Sequence, residues 1–303
     1  MKFIITGATS FLGVELCQYL LTSGHEVYAV CRQGSAKAED LPKDANLHVI
    51  FSDMSDFRNL WQKVERADIF VNLAWDATNH KGSDQKDAEI TNVENSLDAI
   101  IASRYMGCKL FVEAGSQAEY GITKEMQSDR TLCYPHTEYG LAKYVIYKMA
   151  SEYARMIGMK YIHLRIFSTY GAGDKPWTLV STCFDKMLKN EPVELSPCMQ
   201  NWNFVYVKDA VKQISLLCEY AIGKEDFKQE VFQIASEDTR CLRYFIMEMK
   251  EILESSSELR FGAVQPQNIV SLQPDMTKTR SAIGFISDYS FADGIREMLN
   301  TKK

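Results

Sequence analysis

Apolar and polar positions follow two alternating rhythms through the first two-thirds of the chain. Short runs that are apolar almost throughout, "KFIIT" (2–6), "EVYAVCR" (26–32), "LHVIFS" (47–52), "IFVNLA" (69–74), "KLFVEA" (109–114) and "KYIHLRIF" (160–167), predict strands. Between them, 11–23, 56–64, 84–105 and 137–157 carry apolar residues at helical spacing. Strands apolar on both faces, separated by helix-length segments, predict an α/β fold with a doubly wound parallel sheet. After residue 168 the rhythm changes. Two loops, "STYGAGDKPW" and "EPVELSPCMQNWNF", flank a helix over 178–190, followed by a helix over 208–222 and a strand "VFQIA" (231–235). Helices are expected near 242–254, 275–283 and 290–299. The pattern divides the chain into a sheet domain, 1–168 with 203–236 returning to it, and a smaller, mainly helical C-terminal lobe within 169–303.

The glycines sharpen this picture. "TGATSFLG", residues 6–13, follows the first strand and opens the first helix. Gly7 can turn the chain sharply, the helix N-terminus offers unpaired N–H groups to a pyrophosphate, and Gly13 lets the helix pack closely. Within a βαβ unit this predicts a dinucleotide-binding Rossmann domain. The second strand ends "AVCRQGS", with Arg32 where an acidic residue would favour NAD. A guanidinium there can pair with a 2′-phosphate, so NADP is expected; an arginine stacked on adenine would leave NAD open.

The 303 residues are 46% hydrophobic with a net charge of −6, an ordinary globular composition that argues against nucleic acid as partner. Eight cysteines without a Cys-x-x-Cys pair, several in apolar runs, predict neither disulfides nor zinc and favour a reducing compartment. Five scattered histidines offer no metal site. No apolar run is long enough for a membrane span, and the N-terminal apolar stretch is too short for a secretion signal. A cytosolic protein is expected.

Tyr-x-x-x-Lys occurs five times, beginning at Tyr105, Tyr120, Tyr139, Tyr144 and Tyr220. Proton transfer to a carbonyl needs a phenol at the C-terminal edge of the sheet and a lysine one turn further on to lower its pKa and hold a ribose. A hydroxyl from a neighbouring strand end completes such a site. Tyr105 lies at the wrong edge, Tyr220 near a late helix end, and Tyr120 in a loop with Gly121 after it. Tyr139 opens a helix at the right edge with Lys143 one turn on, and Ser116 supplies the hydroxyl. Tyr144 lies about 140° around the helix from Tyr139 and cannot share its site.

These residues resemble the extended short-chain dehydrogenases/reductases, the NAD-dependent epimerase/dehydratase group that acts largely on nucleotide sugars. "TGATSFLG", "FSDMSD", "NLAW", "TNVENS", "AGSQAEYG", "YGLAK", "LRIFSTYGAGD", "NFVYVKDAV" and "PDMTKTRSAIGF" carry the likeness through most of the chain. It implies Ser116, Tyr139 and Lys143 as the catalytic set. It implies cofactor contacts from Gly7, Thr9, Ser10, Phe11, Leu12 and Gly13, from Asp53 and Met54 at the adenine, from Leu73, Ala74 and Trp75 beside the riboses, and from Asn92. A homodimer through helices 84–105 and 137–157, with Tyr144 and Tyr147 facing outward, is also implied. Dehydratases of the group carry an Asp-Glu pair where this chain has Gln117 and Ala118, and Glu119 comes one place too late. Ser168 and Trp202 replace an asparagine and an arginine that commonly clamp the diphosphate, leaving Lys175, Arg240 or Lys278 for that task. Ser116, Tyr120, Trp75, His136, Trp177 and Trp202 are substrate-side candidates, the aromatics serving either as stacking walls or as interface plugs. The expected function is NADP-dependent reduction of a nucleotide-linked keto-deoxysugar, with an NAD-dependent nucleotide-sugar 4-epimerase as the alternative. A dinucleotide sensor without catalysis fits less well, because the Ser-Tyr-Lys set is complete.

Overall fold

The computed structural model describes residues 1–76, 83–265 and 269–302. In chain order the elements are β1 (Lys2–Thr6), α1 (Phe11–Thr22), β2 (Glu26–Cys31), β3 (Leu47–Phe51), β4 (Ile69–Asn72), α2 (Ser83–Tyr105), β5 (Leu110–Ser116), α3 (Glu138–Ile157) and β6 (Lys160–Ile166). Then follow β7 (Ser168–Tyr170), α4 (Leu179–Leu188), β8 (Val193–Leu195), β9 (Asn201–Tyr206), α5 (Val207–Gly223) and β10 (Gln229–Ile234). The chain ends with β11 (Thr239–Cys241), α6 (Leu242–Ile252), β12 (Leu259–Phe261), α7 (Thr277–Ile283) and α8 (Phe291–Asn300). Two compact units result: residues 1–121, 132–166 and 211–232 form the first, and 122–131, 167–210 and 233–303 the second.

Seven strands form one sheet in the order β10-β6-β5-β4-β1-β2-β3, and the pairs from β3 to β6 run parallel. The chain winds outward from β1 through β2 to β3, then returns to β4 and proceeds the other way. The order therefore reverses beside β1, where open α/β sheets leave a crevice at their carboxyl edge. Every residue of β4 and β5 is buried, which explains why their sequences are apolar without alternation. On one face Phe70, Phe111 and Tyr161 stack across β4, β5 and β6, with ring centroids 5.2 and 6.4 Å apart. Ala99 and Ala102 of α2 and Ile146, Ala150 and Ala154 of α3 pack on them, small side chains letting the helices lie close over large rings.

The helix expected over 56–64 is instead a run of 3₁₀ turns, Met54–Gln62. Asp53, at its start, accepts from the backbone N–H of Gln33 rather than capping the turn. β5 continues two residues past its apolar run, so Ser116 is its last residue. The second unit holds more strand than its sequence suggested: β11-β9-β7 and β12-β8 form two small sheets. "NWNF", read as loop, lies in β9, where Asn203 donates to the carbonyl of Ser236 at 2.9 Å and to Thr239 Oγ1 at 3.0 Å. Three-residue partner strands are too short to show a period in sequence. α8 docks through Phe291, whose ring lies 4.9 Å from Phe245 and 5.1 Å from Tyr170.

Candidate active site

The turn between β1 and α1 is built around two glycines. Gly7 has φ +67°, and a Cβ there would meet the backbone of Leu73 and Ala74 at 2.9 Å. A Cβ on Gly13 would lie 2.3 Å from the carbonyl oxygen of Gly7, so only glycine lets α1 begin this close to its own loop. Ser10 is the N-cap, its Oγ accepting from Gly13 N–H at 3.1 Å. Thr9, Phe11 and Leu12 remain partly exposed on this turn. The result is a helix N-terminus with a close-approach cradle, the geometry a dinucleotide pyrophosphate requires.

Beside it lies a cleft of about 620 Å³ lined by Arg32, Asp53, Met54 and Asn92, with Asp76 and Asp87 also at its wall. Among the described residues Arg32 makes no ion pair, although three carboxylates share its cleft. Asn92, buried on α2, accepts from Asp76 N–H at 2.8 Å and donates to the Asp76 carbonyl, tying down the chain after β4. These residues fit a nicotinamide dinucleotide: a glycine cradle for the phosphates, and an unpaired guanidinium at the end of β2.

Tyr139 and Lys143 lie on the first turns of α3. Thr137 caps this helix, accepting from Gly140 N–H at 3.1 Å. A Cβ on Gly140 would lie 2.5 Å from the carbonyl of Ala118, so the helix start is seated on the turn that follows β5. Tyr139 is thereby brought beside Ser116, whose hydroxyl favours the ionised phenol. Lys143 is buried, donates to the carbonyl of Ala114 at 2.7 Å, and holds its Nζ 3.4 Å from the centroid of the Trp75 ring. That nitrogen is 5.9 Å from the Tyr139 ring centroid.

The acidities differ from the sequence expectation. Burial pushes the Tyr139 phenol up to about 12, opposed by the Ser116 hydrogen bond and reinforced by the charges of Glu119 and Glu89. Burial also lowers Lys143 below the usual lysine value, while Glu113, Glu119 and Glu89 pull it back up. The Lys143 nitrogen meets the Ala114 carbonyl and the Trp75 indole face. A phenol this weakly acidic is protonated at neutral pH, the form that can give a proton.

Beneath the site lies a buried polar layer that the sequence reading did not single out. Thr6 donates to Asn72 Oδ1 at 2.5 Å, and Asn72 Nδ2 donates to Ser96 and to both oxygens of Glu113 at 3.1 and 2.9 Å. Burial raises Glu113 above the ordinary carboxylate range against the pull of Lys143. Glu119 Oε1 accepts from Ser116 N–H and His163 Nε2, both at 2.8 Å, and Oε2 from Arg165 Nε at 3.0 Å. Burial alone would raise Glu119; its His163, Arg165 and Ser116 partners outweigh that and hold it low. His163 is itself lowered by burial and is neutral at pH 7, so Arg165 carries the balancing charge, and Tyr161 lies 3.1 Å from the other ring nitrogen. Gly115 is the space this layer needs, since a Cβ there would meet His163 and Glu119 at 2.2 and 2.5 Å. The signal was present in the sequence: Glu113, His163 and Arg165 interrupt strands that are otherwise apolar, and buried ionisable groups need partners.

The other candidates are placed as follows. Leu73 is partly buried and Ala74 buried beside Gly7. Tyr120 is only 2% exposed, with the Arg165 guanidinium 4.6 Å from its ring centroid, so it supports the site from below instead of lining a pocket. His136 is exposed. In the second unit Trp177 is 63% exposed and Lys175 lies 5.7 Å from its ring. Trp202, on β9 opposite Arg240, keeps its indole N–H buried without a hydrogen bond among the described residues. The spare cations expected for a diphosphate are engaged: Arg240 with Asp238 and Glu248, and Lys278 with Asp129 at 3.0 Å. Tyr147, expected to face outward, instead packs on His163 at 4.7 Å. Tyr220 and Lys224, at the same spacing, bond directly at 3.2 Å near the end of α5, which shows how little the spacing decides.

The model of the NAD dependent epimerase/dehydratase family matches residues 3–235. The CDP-abequose synthase of Salmonella muenchen is 21% identical, with 100% of this chain and 98% of that protein covered. The dTDP-6-deoxy-L-talose 4-dehydrogenase (NAD(+)) of Aggregatibacter actinomycetemcomitans is 26% identical over 82% of this chain and 89% of its own. The crystal structure of UDP-glucuronic acid 4-epimerase from Bacillus cereus, in complex with UDP-glucuronic acid and NAD, superimposes with a TM-score of 0.86 at 21% identity, covering 99% of this chain and 98% of the other.

Proposed function

The chain belongs to the NAD dependent epimerase/dehydratase family, and from that premise we propose that it is an NADP-dependent reductase of a nucleotide-linked keto-deoxysugar. The observation that carries the reading is the meeting of Ser116, Tyr139 and Lys143 at the carboxyl edge of β5. Gly7, Ser10 and Gly13 would hold the pyrophosphate, Arg32 the 2′-phosphate, and Lys143 the nicotinamide ribose. Bound there, the cofactor supplies the hydride. Tyr139 gives its proton to the substrate oxygen and Ser116 hydrogen-bonds that oxygen. Leu73, Ala74 and Trp75 flank the riboses, with His136 on the substrate side.

Reduction is favoured over dehydration because Gln117 and Ala118 carry no acid, and the nearby carboxylate, Glu119, is buried and committed to Arg165. The relatives named for a 6-deoxyhexose and for abequose, both nucleotide-linked, agree with such a substrate. NADPH oxidation with a nucleoside diphosphate-4-keto-6-deoxyhexose tests the proposal. Tyr139→Phe should lower turnover by about 10²- to 10⁴-fold while changing cofactor affinity little; undiminished turnover overturns the assignment. Stoichiometric, tightly held NAD in the purified protein would favour the 4-epimerase instead.

The same reading places the enzyme in the cytosol, in keeping with its free cysteines and with no described helix long and apolar enough to cross a membrane. It also makes it a homodimer. Ile90 of α2 and Leu141 and Met149 of α3 are 51%, 52% and 47% exposed, and they line an apolar groove of about 490 Å³.

A further inference from the structure

Trp75 stands three residues beyond the end of β4 and makes three separate attachments with one side chain. Its ring face lies 3.4 Å from Lys143 Nζ. Its ring packs against that of Tyr139 at 88°, centroids 6.0 Å apart. Its indole N–H donates to Glu89 Oε2 at 3.0 Å. We propose that Trp75 is a positioning residue of this site, its indole pinned by Glu89 so that it fixes the Lys143 ammonium beside Tyr139 and thereby sets cofactor affinity. The inference rests on the proton-transfer and ribose-binding roles proposed for Tyr139 and Lys143.

A plain packing role does not account for Glu89. It is 3% exposed, and its other carboxylate oxygen has no hydrogen bond among the described residues. Burial of this carboxylate is the largest influence on it and raises its pKa against the pull of Trp75, Asn92 and Lys143, and a leucine would pack α2 without that cost. What the carboxylate does here is fix the rotation of the indole, which a hydrophobic contact leaves free. The indole is also the aromatic system that attracts an ammonium most strongly, and its edge-to-face contact sets the Tyr139 ring. Lys143 has three N–H donors; the Ala114 carbonyl takes one, and Trp75 covers one side of the nitrogen. A donor not engaged in this way can serve ribose hydroxyls with little reorganisation of the side chain. The ionisable groups around this nitrogen are Glu113 of β5, Glu119 of the following turn, Glu89 of α2, His163 of β6 and Tyr139 of its own helix.

The test uses the full chain in four forms: unaltered, Trp75→Phe, Trp75→Ala and Lys143→Met. NADPH affinity should fall about tenfold in Trp75→Ala and stay within about threefold in Trp75→Phe, which keeps a ring face over the ammonium. The emission of Trp75, taken as the difference between the unaltered protein and Trp75→Phe, should titrate with a midpoint below the ordinary lysine value. Replacing Lys143 with methionine should abolish that titration. Unchanged affinity in Trp75→Ala, equal losses in both Trp75 variants, or an emission indifferent to pH or to Lys143→Met would each overturn the role. The emission titration needs neither substrate nor turnover. Failure to reduce any keto-sugar therefore counts against the reductase alone, and a missing titration against Trp75 alone.

Discussion

Arg32 carries the cofactor choice at the scale of a single residue. It follows β2 directly, lines the cleft, and has no carboxylate paired with it among the described residues. A guanidinium meeting a 2′-phosphate makes charge-assisted hydrogen bonds of about 1.5–3 kcal/mol. Arg32→Ala should therefore raise the Kd for NADPH by about 10- to 100-fold and leave that for NADH nearly unchanged; equal losses for both would make Arg32 an adenine-stacking residue instead. Ser116 and Glu119 illustrate how residues in one turn divide their work. The hydroxyl faces Tyr139, while the glutamate accepts the Ser116 N–H from below and fixes where that hydroxyl points.

At the scale of the element, α3 presents Tyr139 and Lys143 only because its start is fixed. Thr137 caps it, and Gly140 lets it sit against the carbonyl of Ala118. Losing the cap, Thr137→Ala, should cost about 1 kcal/mol of stability by denaturant titration. Cofactor binding and turnover of the folded protein should change much less, because Gly140 and the apolar face of α3 still hold the helix. β5 does comparable work: all seven of its residues are buried, and its last residue, Ser116, starts the capped turn that seats α3. The short strands of the second unit went unread in sequence because each depends on a partner distant in the chain, as β11 does on β9.

Two properties belong to the whole molecule. The first is its response to acid. Glu119 lies below its ordinary value in the folded state, so its contribution is fully present above the unfolded value of about 4.3 and is lost as pH falls through the folded one. Glu119→Gln leaves Arg165 uncompensated and should cost about 3–5 kcal/mol at neutral pH. The difference in melting temperature between the two proteins should then narrow as pH drops below 4, and a constant gap would deny Glu119 this role. The second property is assembly. If α2 and α3 pair with those of a second copy, Leu141→Glu should shift the mass in solution from dimer to monomer at micromolar concentration. The same mass for both proteins would remove that face from the interface.

The sheet, the order of its helices and the glycine turn were legible in the linear chain because each rests on local physics: periodicity of burial, and backbone angles open only to glycine. The choice of Tyr139 among five Tyr-x-x-x-Lys pairs rests on its place at a helix start and on Ser116 at a strand end, since the spacing alone recurs at Tyr220. The buried layer of Asn72, Glu113, Glu119, His163 and Arg165, and the seating of Lys143 on Trp75, came from the fold. These residues lie tens of positions apart, and their ionisation depends on burial and on partners that only folding brings within hydrogen-bonding distance. The raised pKa of Tyr139 likewise follows first from its burial, which the linear chain does not show.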